Sequence, residues 1–156
     1  MAKDILGKVP VGISNRHIHL SQEDLETLFG AGYELTVRND LSQTGQFAAE
    51  ETVTIQGPKS SMVNVRILGP TRKETQLEIS RTDSFALGVK PPMRDSGFLD
   101  GTPGITVIGP KGQIALERGV IIAQRHIHMT EEDATAFGVK DKDLVSVRVD
   151  GERAVV

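Results

Sequence analysis

The sequence predicts a mainly β fold, a barrel or sandwich of short strands with few and short helices. Three observations point there. Apolar and β-branched runs recur between turns marked by Gly and Pro, which number 16 and 7 in the chain. No regular alternation of strand and helix suggests βαβ units. The two segments that do read as helices, residues 21–29 and 130–137, are short and built alike.

Taken in order, residues 21–29 open on an N-cap serine, Ser21, and carry Glu23 and Asp24 in the first turn, where acids favour the helix N-terminus. Residues 51–56 read as a strand, Gly57-Pro58-Lys59-Ser60 as a turn and residues 62–68 as the returning strand. Gly69-Pro70-Thr71 turns again, and residues 75–80 follow as a strand. Residues 105–108, the turn Gly109-Pro110-Lys111-Gly112, residues 113–117 and residues 120–123 continue the pattern. The helix at 130–137 has Glu131, Glu132 and Asp133 at its start. Residues 144–149 then read as a strand entering Asp150-Gly151, a strong hairpin signal.

The likeness of the two helices belongs to an internal repeat. Arg16-His17-Ile18-His19-Leu20-Ser21-Gln22-Glu23-Asp24 aligns without a gap with Arg125-His126-Ile127-His128-Met129-Thr130-Glu131-Glu132-Asp133, an offset of 109 residues. An apolar stretch precedes each copy. Two related strand–helix units, one per half, are expected, with little chain left to complete the second.

Composition excludes several classes of function. The net charge of −3 gives no electrostatic case for nucleic acid or an anionic membrane. There is no cysteine, so disulfides, thiolate metal sites and a cysteine nucleophile are out. The opening residues have no long apolar run, so they read neither as a secretory signal nor as a membrane span, and a cytoplasmic protein is expected. With aromatics at 4%, the core must be mainly aliphatic.

All four histidines lie in the repeat as two His-x-His pairs. In a strand, side chains two apart share a face, so each pair presents two imidazoles while Ile18 or Ile127 turns into the core. Paired imidazoles suit Zn²⁺, which also accepts carboxylate oxygen. Glu78 is the acidic candidate. Alternation puts Gln76, Glu78 and Ser80 opposite the core-facing Leu77 and Ile79, where a solvated glutamate is the plainer reading. Lys59, Arg66, Arg72 and Lys73 cluster near this strand, and an arginine fork in a glycine-containing loop matches phosphate. Arg16 and Arg125 face away from the histidines and suit ion pairs with the helices that follow. Residues 95–97 and 100–104 are Gly-rich but match no phosphate-binding fingerprint, and they read as loop.

Both Arg-His-Ile-His motifs, Val11-Gly12-Ile13-Ser14-Asn15, Asn39-Asp40-Leu41-Ser42, Gln76-Leu77-Glu78-Ile79-Ser80-Arg81-Thr82-Asp83 and Pro91-Pro92-Met93-Arg94-Asp95-Ser96-Gly97 together carry a resemblance. From about Val9 onward the chain resembles PduL-type phosphotransacylases, the phosphate propanoyltransferases of bacterial microcompartments and their housekeeping relatives. The resemblance implies two small β-barrel domains capped by short helices, one of residues 16–123 and a discontinuous one of residues 1–15 and 124–156, incomplete at its C-terminal end. It implies a phosphate acyltransferase interconverting acyl-CoA, propanoyl or acetyl, plus phosphate with acyl phosphate plus CoA, as in propanediol degradation.

The same resemblance implies a dizinc site, two Zn²⁺ per complete chain. His17, His19 and Glu78 would hold one ion, and His126 and His128 the other. Arg72 would bind phosphate and act in catalysis. Ile13, Ser14, Asn15, Lys59, Arg66 and Phe85 would contact coenzyme A. The family's second ion takes a further histidine from a later segment. No histidine follows His128 here, which predicts a truncated chain with a weak second site. Microcompartment members carry an N-terminal encapsulation helix. The ten residues before Val11 leave no room for one, which favours a cytosolic form. Homo-oligomerisation stays open. A metal-dependent hydrolase and a non-catalytic metal-binding barrel are the alternatives.

Overall fold

The computed structural model describes residues 5–152. The chain divides into two units, Ile13–His126 and a smaller one in which residues up to Gly12 join those from Ile127 onward.

The larger unit is mainly β. Its elements are β1 (His17–His19), α1 (Gln22–Phe29), β2 (Val37–Asp40), β3 (Phe47–Gln56), β4 (Ser61–Gly69), β5 (Gln76–Glu78), α2 (Arg81–Leu87), β6 (Met93–Arg94), β7 (Ile105–Ile108), β8 (Gln113–Leu116) and β9 (Val120–Ala123). The strands form one sheet in the order β6-β9-β5-β1-β4-β3-β7-β8, with β2 added on β3, curled into a half-barrel. The short β1 lies in the middle. It is antiparallel to β5 on one side, with His17 opposite Glu78 and His19 opposite Gln76, and parallel to β4 on the other, with His17 beside Arg66.

The core is aliphatic, as the scarcity of aromatics requires. Ile18, Leu20, Leu25, Leu28, Ile55, Ile67, Leu77 and Leu87 are all but inaccessible to water. Each such side chain contributes about 1.5–3 kcal/mol by burial. Helix α1 supplies Leu25, Leu28 and Phe29, and the β7–β8 turn closes over its C-terminal end, where the Lys111 amide donates to the Leu28 carbonyl at 2.9 Å. That approach needs the two turn glycines. A Cβ on Gly109 would lie 2.7 Å from the Leu28 carbonyl oxygen, and one on Gly112 2.7 Å from that of Thr27.

Several elements differ from the sequence expectation. The strand expected at 51–56 is the second half of a longer β3. The strand expected at 75–80 shortens to Gln76–Glu78 because Ser80 leaves the sheet to cap α2, which the hydrophobic pattern did not suggest. Ser80 Oγ accepts the Asp83 amide, Asp83 accepts the Ser80 amide, and Gly88 closes the helix in the left-handed conformation. Arg16 does not pair with α1. It forks onto Asp83 of α2, with Nε–Oδ2 at 3.1 Å and Nη2–Oδ1 at 2.7 Å. The guanidinium's hydrogen bonds hold the Asp83 carboxyl below its ordinary range against the opposing effect of burial. The pair fixes the chain entering β1 against the first turn of α2.

In the smaller unit, α3 (Glu131–Phe137) is capped by Thr130 as α1 is by Ser21, each side chain accepting the amide three residues on. Gly7 sits against the ring of Phe137, where a Cβ would lie 2.7 Å from the ring. The second His-Ile-His, at residues 126–128, is not assigned as a strand, and of the segment 144–149 only Val149 makes a β-bridge. An alternating pattern becomes a strand only where partners supply its hydrogen bonds. β4 and β5 do so for His17–His19. Leu144, in the later segment, is 94% exposed.

Candidate functional site

Sheet register builds the site. Because β1 pairs antiparallel with β5, His17 and Glu78 face each other directly, with His17 Nε2 and Glu78 Oε2 3.4 Å apart. His19, two residues along the strand, falls on the same face, its ring 5.2 Å from that of His17 and nearly perpendicular to it. Ile18 turns into the core. Ligand atoms of His17, His19 and Glu78 all lie within 4.8 Å of one another. It is the one such triad of His, Cys, Asp or Glu among the described residues.

Glu78 is not the solvated strand residue that alternation suggested. Gln76, Leu77 and Glu78 are all buried, because β5 lies between β1 and β9 and the long segment after β6 covers its other face.

The donor chemistry fits a divalent ion. His17 Nδ1 is 2.8 Å from the Asn15 carbonyl, which holds the proton there and leaves Nε2 as a free lone pair facing Glu78. Burial resists protonation of His17, but the Glu78 carboxylate and the Asn15 carbonyl outweigh it and raise its pKa. For His19, burial together with the charges of Arg72 and His17 pushes the pKa down to about 3, so the ring is neutral. Its Nδ1 is buried with no hydrogen bond of good geometry among the described residues, and the Leu68 carbonyl acts on the ring in the opposite direction to burial. Burial opposes ionisation of Glu78, yet the histidines and Gln76 keep its carboxyl below the ordinary range. With His17 giving up its Nε2 proton when an ion binds, two imidazoles and a carboxylate suit zinc, with one position left for chemistry.

Arg72 stands over this group. Its amide donates to the Leu20 carbonyl at 2.8 Å, bridging it to the start of α1, and Thr75 in the same loop hydrogen-bonds Asp24 and the Ser21 amide. The guanidinium is half-buried, which lowers its pKa, while Glu78 acts the other way. Its Nη1 donates to Ser96 Oγ at 3.0 Å.

The other sequence candidates divide. Ile13, Ser14 and Asn15 are exposed immediately before His17, and Ser14 Oγ reaches 3.5 Å from His17 Nδ1. Lys59 and Phe85 line a separate surface depression together with Arg81, Lys90 and Pro91, and the Phe85 ring is 70% exposed. Arg66 is tied to β3, its Nη1 donating to the carbonyls of Ala49 and Glu50 at 3.0 and 2.7 Å. His126 repeats the local device of His17, its Nδ1 lying 2.6 Å from the carbonyl two residues earlier, that of Gln124. His126 closes the larger unit and His128 belongs to the smaller. Sequence reasoning missed Gln76 and Ser96 as site residues. Alternation had put Gln76 beside Glu78, but nothing in the sequence tied either of them to residues 95–97.

The profile of the phosphate propanoyltransferase family matches residues 10–156. Curated relatives of that name agree with it. The protein of Thermotoga maritima is 66% identical over 147 residues, 94% of this chain and 70% of its own length. That of Rhodobacter capsulatus is 59% identical over 95% of this chain and 69% of its own, and that of Rhodopseudomonas palustris 56% over 96% and 66%. No helix among the described residues is long and apolar enough to cross a membrane. The coverage and the level of identity establish that the chain belongs to the phosphate propanoyltransferase family of acyltransferases.

Proposed function

We propose that the chain transfers an acyl group, propanoyl or acetyl, between coenzyme A and inorganic phosphate at the site built on His17, His19, Glu78 and Arg72. The observation that carries this is the meeting of a ligand triad and a half-buried guanidinium on one face of the β1–β5 pair. A divalent ion held there would supply a Lewis acid to the thioester.

Every other task falls to the chain's own groups. Arg72 binds phosphate through its fork and offsets its charge, orienting one oxygen toward the acyl carbon. Attack forms the C–O bond, and collapse of the tetrahedral adduct breaks the C–S bond and releases the thiolate. The nucleophile is the phosphate itself, which agrees with the absence of cysteine. Holding both substrates in line supplies about 7 kcal/mol or more of the barrier reduction. Ser14 and Asn15, beside His17, suit the thiol end of coenzyme A. The Lys59–Phe85 depression, with two further cations and an exposed ring, suits its nucleotide end. The repetition of the His-x-His pair makes His126 and His128 candidates for metal binding of their own.

Mixing propanoyl phosphate with coenzyme A should yield propanoyl-CoA, and propanoyl-CoA should release coenzyme A only when phosphate is present. Equal release without phosphate would instead show a hydrolase, and no turnover in a metal-loaded protein would leave a binding barrel.

A further inference from the structure

Gln76 is the most deeply buried polar side chain near the site, at 1% exposure. Its carboxamide makes three contacts. Nε2 is 2.7 Å from Glu78 Oε1 and 2.9 Å from Ser96 Oγ, and Oε1 accepts the Gly97 amide at 2.7 Å. These partners allow a single orientation. A backbone N–H can only donate and a carboxylate can only accept, so the oxygen must face Gly97 and the NH₂ must face Glu78. Gly97 presents that amide from a left-handed conformation, φ +89°, which glycine adopts without strain.

Ser96 Oγ, in turn, receives two hydrogens, one from Gln76 and one from Arg72 Nη1 at 3.0 Å. Both its lone pairs are then used, and the hydroxyl hydrogen is left to donate. Ser96 is exposed, so that hydrogen can reach a bound oxygen beside the guanidinium.

We propose that Gln76 is a positioning residue that sets two arms of the site at once, the Glu78 carboxylate directly and the Arg72 guanidinium through the Ser96 hydroxyl. The proposal rests on reading Glu78 as a metal ligand and Arg72 as the phosphate-binding group. Gln76 fixes which Glu78 oxygen stays available for the ion: Oε1 is engaged by the amide, and Oε2 faces His17. It also fixes the residue 95–97 turn, which brings Ser96 to Arg72. The Ser96 hydroxyl adds one donor to a phosphate oxygen held by the arginine fork. Metal site and anion site are thereby set by a single amide.

The test measures Zn²⁺ affinity of the whole chain by chelator competition, and KM for inorganic phosphate and for propanoyl-CoA separately. Gln76→Met keeps the volume and loses all three hydrogen bonds. It should weaken Zn²⁺ binding about 10- to 100-fold, the usual effect of removing a partner that orients a metal ligand. It should also raise the phosphate KM. Ser96→Ala, on the exposed loop, should raise the phosphate KM about tenfold, as for one lost hydrogen bond to a charged group, with Zn²⁺ affinity and the propanoyl-CoA KM unchanged. Combined, the two changes should raise the phosphate KM less than the product of their separate effects, because they break one chain of contacts. Wild-type phosphate KM in Ser96→Ala overturns the proposal even if Gln76→Met does not fold. Normal Zn²⁺ affinity in a folded Gln76→Met overturns it equally. In both cases a wild-type chain that binds Zn²⁺ and turns over leaves the reading of the site intact; a wild-type chain that does neither removes that reading, and this proposal with it.

Discussion

Replacing His17 and His19 together by alanine is expected to remove the metal of the triad and to lower the transfer rate by three decades or more, equivalent to a loss of roughly 4 kcal/mol or more of transition-state stabilisation. Two of the three ligand side chains disappear, and a lone carboxylate does not hold zinc at useful affinity. The fold should survive, because Ile18, the core-facing residue of the same strand, is untouched and the backbone pairing with β4 and β5 does not use the imidazoles. Metal content by atomic absorption, propanoyl-CoA formation and the far-ultraviolet dichroism spectrum check the three parts. Retained zinc in a folded double variant would show that the ion lies elsewhere.

The second large effect is at Arg72. Arg72→Lys keeps the charge but loses the planar fork and its reach to Ser96. The phosphate KM should rise about 10- to 100-fold, the worth of one or two charge-assisted hydrogen bonds, while affinity for coenzyme A changes little. Steady-state kinetics with each substrate varied separately give the answer. Unaltered phosphate kinetics would move the phosphate site, with Arg66 the next cation along the sheet. Against that shift, the Arg66 guanidinium already donates to the carbonyls of Ala49 and Glu50.

The sequence carried those parts of the site that lie within one strand. His17 and His19 share a face because a strand has period two, and their repetition as His126 and His128, which takes in every histidine of the chain, marked both pairs as ligand candidates. The β-rich class, the Ser21 cap and the Thr130 cap were legible for the same reason, being local patterns. What depends on pairing between distant strands was not. Alternation placed Glu78 on an open face, whereas the arrangement of β5 between β1 and β9 buries it against His17. Nor does any local pattern show that residues 95–97 fold back onto Gln76, or that Asp83 receives Arg16 from 67 positions earlier. Of the strand expected at 144–149 only Val149 makes a bridge, because alternation records which side chains could share a face and not how far a strand runs.

The most direct measurement is a zinc titration of the metal-stripped chain with transfer rate and bound zinc followed together. If His17, His19 and Glu78 hold the ion that the transfer requires, stripped protein should be inactive. Activity should then rise in proportion to zinc bound, level off when the triad is filled, and be lost again on addition of a chelator. Undiminished transfer by protein holding no metal, or zinc uptake unaffected by loss of Glu78, would contradict it.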